Sequence, residues 1–73
     1  MYGKNVIGHN VKYFRELKKI SQEQLTARLN IQGIEIDQPM LSRIENCTRQ
    51  LLDFEIIGIA KALKIGIEDL FKL

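Results

Sequence analysis

At 73 residues the chain is one domain, near the lower size limit for a core that folds without disulfides or metal. Its 45% apolar content excludes a disordered tail, its single cysteine, Cys47, excludes an internal disulfide and a cysteine-based metal site, and no apolar run nears the roughly 18 residues of a membrane helix. The net charge of +2 hides an asymmetry: residues 1–34 carry six basic against two acidic side chains, residues 35–73 five against seven, so one face is available to phosphates. Met1-Tyr2-Gly3-Lys4 leads into no secretory signal, and a lone thiol fits a reducing cytoplasm.

Taken in chain order, the apolar spacing is helical throughout and predicts an all-α fold of five helices. Val6, Ile7, Val11, Phe14 and Leu17 place helix 1 from about Asn5 to about Lys19, with Lys12, Arg15, Lys18 and Lys19 on its other face. Ser21-Gln22-Glu23-Gln24 is a capping box that opens helix 2, whose inward residues are expected to be Leu25, Ala27, Leu29 and Ile31, with Gly33 as its stop. Asp37 caps helix 3. Pro39 is tolerated in the first turn but disfavours a helical Gln38, so the helix is expected to start at Pro39, to face inward with Leu41 and Ile44, and to end near Asn46. Asp53 is the expected cap of helix 4, with a thick apolar stripe of Phe54, Ile56, Ile57, Ile59, Ala60 and Leu63. A short fifth helix follows Gly66, with Glu68 and Asp69 in its first turn where acids suit the helix dipole.

Two short helices in the middle of a five-helix chain suggest a helix-turn-helix. The run Ile20 to Leu29 (ISQEQLTARL), then Leu41 to Asn46 (LSRIEN), then Ile59 to Leu63 (IAKAL) through Leu70-Phe71, resembles in order and spacing the phage-repressor/Cro family, also called XRE-like or lambda repressor-like. The resemblance spans about Val6 to Phe71. It implies a compact lambda repressor-like bundle over residues 1–73, either a whole regulator or the N-terminal part of a longer one. Three departures stand out. Asn30 to Ile36 replaces the family's tight glycine turn, with Ile36 expected at the buried turn position; Cys47 stands where a glycine usually follows the recognition helix; and Lys64 stands where one usually follows helix 4, so that it either takes a left-handed conformation that costs a residue with a Cβ or lets the chain turn differently.

In the helix-turn-helix geometry the second helix enters the major groove with its N-terminal residues at the base edges. Here those are Gln38, Pro39, Ser42 and Arg43, on the face opposite Leu41 and Ile44. A glutamine amide matches adenine, and an arginine fork matches guanine O6 and N7. Ser42 reaches either a base or a phosphate, and Pro39 offers only apolar contact. The resemblance implies that Gln22 contacts a phosphate from the helix 2 N-terminus and braces Gln38, and that Arg15 and Glu45 form a partly buried structural salt bridge, the alternative for Arg15 being a phosphate contact. Lys12, Asn46 and Arg49 are the other phosphate candidates, with Lys18, Lys19, Thr48 and Gln50 nearby.

The resemblance also implies a homodimer on a pseudo-palindrome, completed either in solution or only on DNA. Ile65, Ile67, Leu70, Phe71 and Leu73 are the candidate dimer residues, with at least two of Ile67, Leu70 and Phe71 expected to close the core instead. The resulting expectation is a cytoplasmic transcriptional regulator, a repressor in the first instance, that binds double-stranded DNA without cofactor or metal. The alternative is a protein-interaction module, antitoxin-like, that uses the fold to bind a second regulator protein. A Cys–His nucleophile pair from His9 and Cys47 has no orienting motif around it, so no enzyme is expected.

Overall fold

The first helix, α1 (Gly8–Leu17), opens a computed structural model that describes residues 6–72. It is followed by α2 (Gln22–Ile31), α3 (Gln38–Glu45), α4 (Asp53–Leu63) and α5 (Ile67–Leu70), with no strand among the described residues. The expected start of helix 1 at Asn5 lies outside the described residues. Helices α2 and α3 pack on each other, α1 backs α3, α4 backs α2, and α5 closes the bundle against α1 and α4. The core is aliphatic: Val11, Leu25, Leu29, Leu41, Ile44, Ile59, Leu63 and Leu70 are fully enclosed, and Phe14 packs against them from the side. No described helix is long and apolar enough to cross a membrane.

Three inward assignments fail. Leu17 is exposed, because Arg15 rather than Leu17 takes the inward position on that turn. Ala27 and Ile31 are exposed as well, Ile31 to 86%. The buried stripe of α2 is instead Leu25, Thr26 and Leu29. Thr26 is tolerated there because its hydroxyl donates to the Glu23 carbonyl at 2.8 Å. The apolar stripe of α4 also divides: Ile59, Ala60 and Leu63 are buried, whereas Phe54 and Ile57 remain about half exposed.

The starts follow side-chain chemistry. Ser21 Oγ accepts from the Gln24 N–H at 3.0 Å while Gln24 Oε1 accepts from the Ser21 N–H at 2.8 Å, the reciprocal box expected. Asp37 accepts from the Met40 N–H at 2.9 Å, and α3 includes Gln38 ahead of Pro39, one residue earlier than expected. At α4 the cap position falls to Leu52, whose N–H donates to Glu55 at 3.0 Å; Asp53 is the first helical residue.

Four helices end on a left-handed residue, and only Gly33 (φ 85°) is glycine; the others are Lys19 (58°), Cys47 (63°) and Lys64 (57°). Each is closed by a hydrogen bond running back over the last turn: Ile20 to Arg15, Ile34 to Leu29, Thr48 to Arg43 and Ile65 to Ala60, at 2.9–3.0 Å. This closure satisfies terminal carbonyls and favours an apolar residue next in line. Ile20 and Ile34 are buried and Ile65 is half-buried. The long turn between α2 and α3 therefore buries two residues, Ile34 and Ile36, not Ile36 alone. Asn30 Nδ2 pins it by donating to the carbonyls of both.

Candidate nucleic-acid interface

Because α3 buries Leu41, Ile44 and Glu45, its remaining side chains share the outer face. Gln38, Pro39, Arg43 and Asn46 are exposed and Ser42 is half-buried. These are the four residues expected at base edges, plus one phosphate candidate, brought onto one ridge. The Arg43 guanidinium has no side-chain partner among the described residues, so its five donors are available to a ligand.

Behind the ridge lies a polar relay. Arg15 Nε and Nη2 donate to the two Glu45 carboxylate oxygens at 2.6 and 3.1 Å, and Arg15 Nη1 donates to the Ile20 carbonyl at 2.8 Å. Both residues are at least nine-tenths buried. The hydrogen bond to Glu45 raises the arginine pKa, more than offsetting desolvation. Glu45 Oε1 takes one more donor, Gln22 Nε2, at 3.0 Å. Gln22 Oε1 in turn accepts from Gln38 Nε2 at 3.3 Å. The brace between Gln22 and Gln38 and the pairing of Arg15 with Glu45 are both present. The link that joins them, from Glu45 to Gln22, was missed: its two residues lie at opposite ends of the helix pair, 23 positions apart.

The phosphate candidates divide. Lys12, Lys18, Lys19 and Asn46 are exposed, but Arg49 is engaged. Its two terminal nitrogens donate to the two Glu55 oxygens, each at 3.0 Å, and Nη1 also donates to the Gln50 carbonyl. Burial pushes the Glu55 carboxyl up, yet the Arg49 hydrogen bonds, the Leu52 N–H and the Arg49 charge together leave it below the ordinary glutamate range. Glu55 had no assigned role; its signal was its position three residues after the Leu52 cap. On the other edge of the ridge, a shallow concavity of about 590 Å³ is lined by Thr26, Asn30, Glu35, Asp37 and Met40 beside Gln38. Its two acids make that edge unfavourable to phosphate.

Of the dimer candidates, Leu70 is fully buried and closes the core, so it does not belong to a surface. Ile67 and Phe71 are 42% and 47% exposed, so one of the three expected core-closing residues is enclosed rather than at least two, because the four-residue α5 turns a single side chain inward; Ile65 is half-buried, and Leu73 lies outside the described residues. Asn10 Nδ2 ties the end of α5 to α1 by donating to the carbonyls of Leu70 and Lys72. Among the described residues no group of histidine, cysteine, aspartate and glutamate is arranged to hold a metal ion.

Comparison with known proteins agrees with this geometry. The sequence model of a helix-turn-helix family matches residues 11–70. Among solved structures, the chain is similar to the restriction-modification controller protein C.AhdI from Aeromonas hydrophila. The two share 28% sequence identity and a TM-score of 0.77, over 89% of this chain and 91% of that one. No curated protein sequence matches the chain.

Proposed function

Because the chain belongs to the lambda repressor-like helix-turn-helix family of DNA-binding transcriptional regulators, we propose that it is a cytoplasmic repressor that lays α3 in the major groove of a pseudo-palindromic operator, one subunit per half-site. The observation that carries this reading is the outer ridge of α3, where Gln38, Pro39, Ser42 and Arg43 stand together while Leu41, Ile44 and Glu45 anchor the helix from behind. Gln38 and Arg43 read base edges; Pro39 and Ser42 add apolar and hydroxyl contact. Lys12, Gln22 and Asn46 contact phosphates, with Gln22 at the positive end of α2. Arg49 approaches the backbone only by giving up Glu55.

One such helix reads only a few base pairs, so specificity calls for two copies on half-sites about one turn apart. The exposed Ile67 and Phe71, with Ile65, supply apolar surface for pairing. A surface this small supports weak pairing completed on DNA.

The test is selection of preferred duplexes from a random pool, followed by titration of the winner against scrambled DNA at several salt concentrations. The expected result is a pseudo-palindrome whose preference is lost in Q38A/R43A. Enrichment of no sequence, with weak binding that salt removes equally from both DNAs, would overturn it and direct the search to a protein partner. The similarity to a restriction-modification controller makes the promoter of such a gene pair the first natural DNA to try.

A further inference from the structure

We infer that Glu45, buried at the inner end of the recognition helix, is a positioning residue for base readout. Through Gln22 it sets the amide polarity of Gln38, so that the helix presents one acceptor and one donor, the pattern that adenine matches. The inference rests on the base-reading role proposed above for Gln38.

A carboxylate accepts hydrogen bonds and donates none. Gln22, 3.0 Å from Glu45 Oε1, must therefore face it with its NH2 group and send its own carbonyl oxygen outward. That oxygen accepts from Gln38 Nε2. Rotating the Gln22 amide by half a turn would set a carbonyl oxygen against an anion, and rotating that of Gln38 would set two carbonyl oxygens face to face. Each amide is thus held in one of its two orientations by the group behind it. The order begins at Arg15, whose fork fixes the Glu45 carboxylate and which is itself pinned to the Ile20 carbonyl.

The accounting at Gln38 then closes. One of its two N–H hydrogens goes to Gln22, and a two-point match to adenine assigns that role to the one trans to the carbonyl. The other lies beside Oε1, and the two together match the N7 acceptor and the N6 amino donor of adenine. Guanine presents two acceptors, O6 and N7, and would meet the Gln38 oxygen with a repulsion. A charge buried in the bundle therefore decides which purine an exposed side chain prefers, without touching DNA.

The experiment repeats the duplex selection with Q38A, Q22M and the double variant R15M/E45L. Removing both members of a buried pair in favour of apolar residues of similar size generally preserves folding. Q22M leaves the Arg15–Glu45 pair in place and so covers the case in which the double variant fails to melt cooperatively. In the wild type, one position of each half-site is expected to prefer adenine over guanine by about five- to a hundredfold, and Q38A identifies that position by losing it. In Q22M and R15M/E45L the same preference is expected to drop at least about threefold toward parity, while the preferences at the other positions stay as in wild type; Q22M also loses its phosphate contact and binds all duplexes more weakly. A folded variant that keeps the wild-type adenine preference, or a Gln38 position that prefers another base, would overturn the inference while leaving the regulator reading intact. Failure of the wild type to select any sequence removes the reading itself, and is seen before any variant is made.

Discussion

Two arginine–glutamate pairs brace this protein with two hydrogen bonds each, Arg15 side-on through Nε and Nη2 and Arg49 end-on through Nη1 and Nη2, and their surroundings give them different work. Arg15 and Glu45 are 30 positions apart and join the end of α1 to the end of α3; Arg49 and Glu55 are 6 apart and fold the loop after α3 onto the first turn of α4. The arginine side chain is 11% exposed in the first pair and 23% in the second. The first glutamate spends its spare capacity on a side chain that leads to the outer ridge, the second on the Leu52 backbone. A similar contact therefore ties two distant helices in one place and reverses the chain in the other. What separates them is the third group each carboxylate holds.

The sharpest way to break the symmetry is to remove one partner from each. E45A leaves a buried guanidinium without its counter-charge, which typically costs about 3–5 kcal/mol, against roughly 4–11 kcal/mol of total stability for a chain of this length. Urea unfolding is expected to show a protein near its folding threshold; a loss under about 1 kcal/mol would mean that water or another acid replaces Glu45. E55Q keeps an acceptor for the Leu52 N–H but loses the charge, and is expected to cost about 1–2 kcal/mol with DNA preference unchanged.

The same variant tests the pH dependence. Because the native Glu55 pKa is lowered, its contribution is fully present above the ordinary glutamate value of 4.5 and is lost as pH falls through the native value. Melting temperatures below that point should fall more steeply for the wild type than for E55Q. Parallel acid limbs would place the acid sensitivity elsewhere. The smallest effect is a gain: K64G relieves a left-handed residue remote from α3 and is expected to stabilise by about 1 kcal/mol, read as a higher melting temperature with unaltered DNA titration.

The sequence announces those features whose partners lie within one turn. Ser21 with Gln24, Asp37 ahead of α3, and Gly33 as a stop are all local, and all three form as read. Arg15 and Glu45 were legible only through the family pattern, since nothing local marks a contact across two helices. Leu17, Ala27 and Ile31 misled because short helices in a small bundle bury a narrow stripe, so apolar character alone does not place a residue inside. Thr26 misled in the opposite direction: a hydroxyl that bonds its own helix is as easily buried as a valine. The left-handed Lys19 carries no glycine to signal it, but the isoleucine after it does. The same pairing of a left-handed residue with a following isoleucine recurs at Gly33-Ile34 and Lys64-Ile65.

Gly58 lies where α4 passes the α2–α3 turn. A methyl group placed on it would fall 2.1 Å from Ile34 Cδ1 and 3.2 Å from Gln32 Oε1, and Gln32 also donates to the Gly58 carbonyl at 3.0 Å. The missing side chain works as a shim of zero thickness between the scaffold and the reading head. Inserting one there would press on the far ends of the Ile34 and Gln32 side chains, which would have to swing aside for the turn to keep its seat on α4. The fit between α4 and the turn that leads into α3 is thus set by the absence of a single carbon atom.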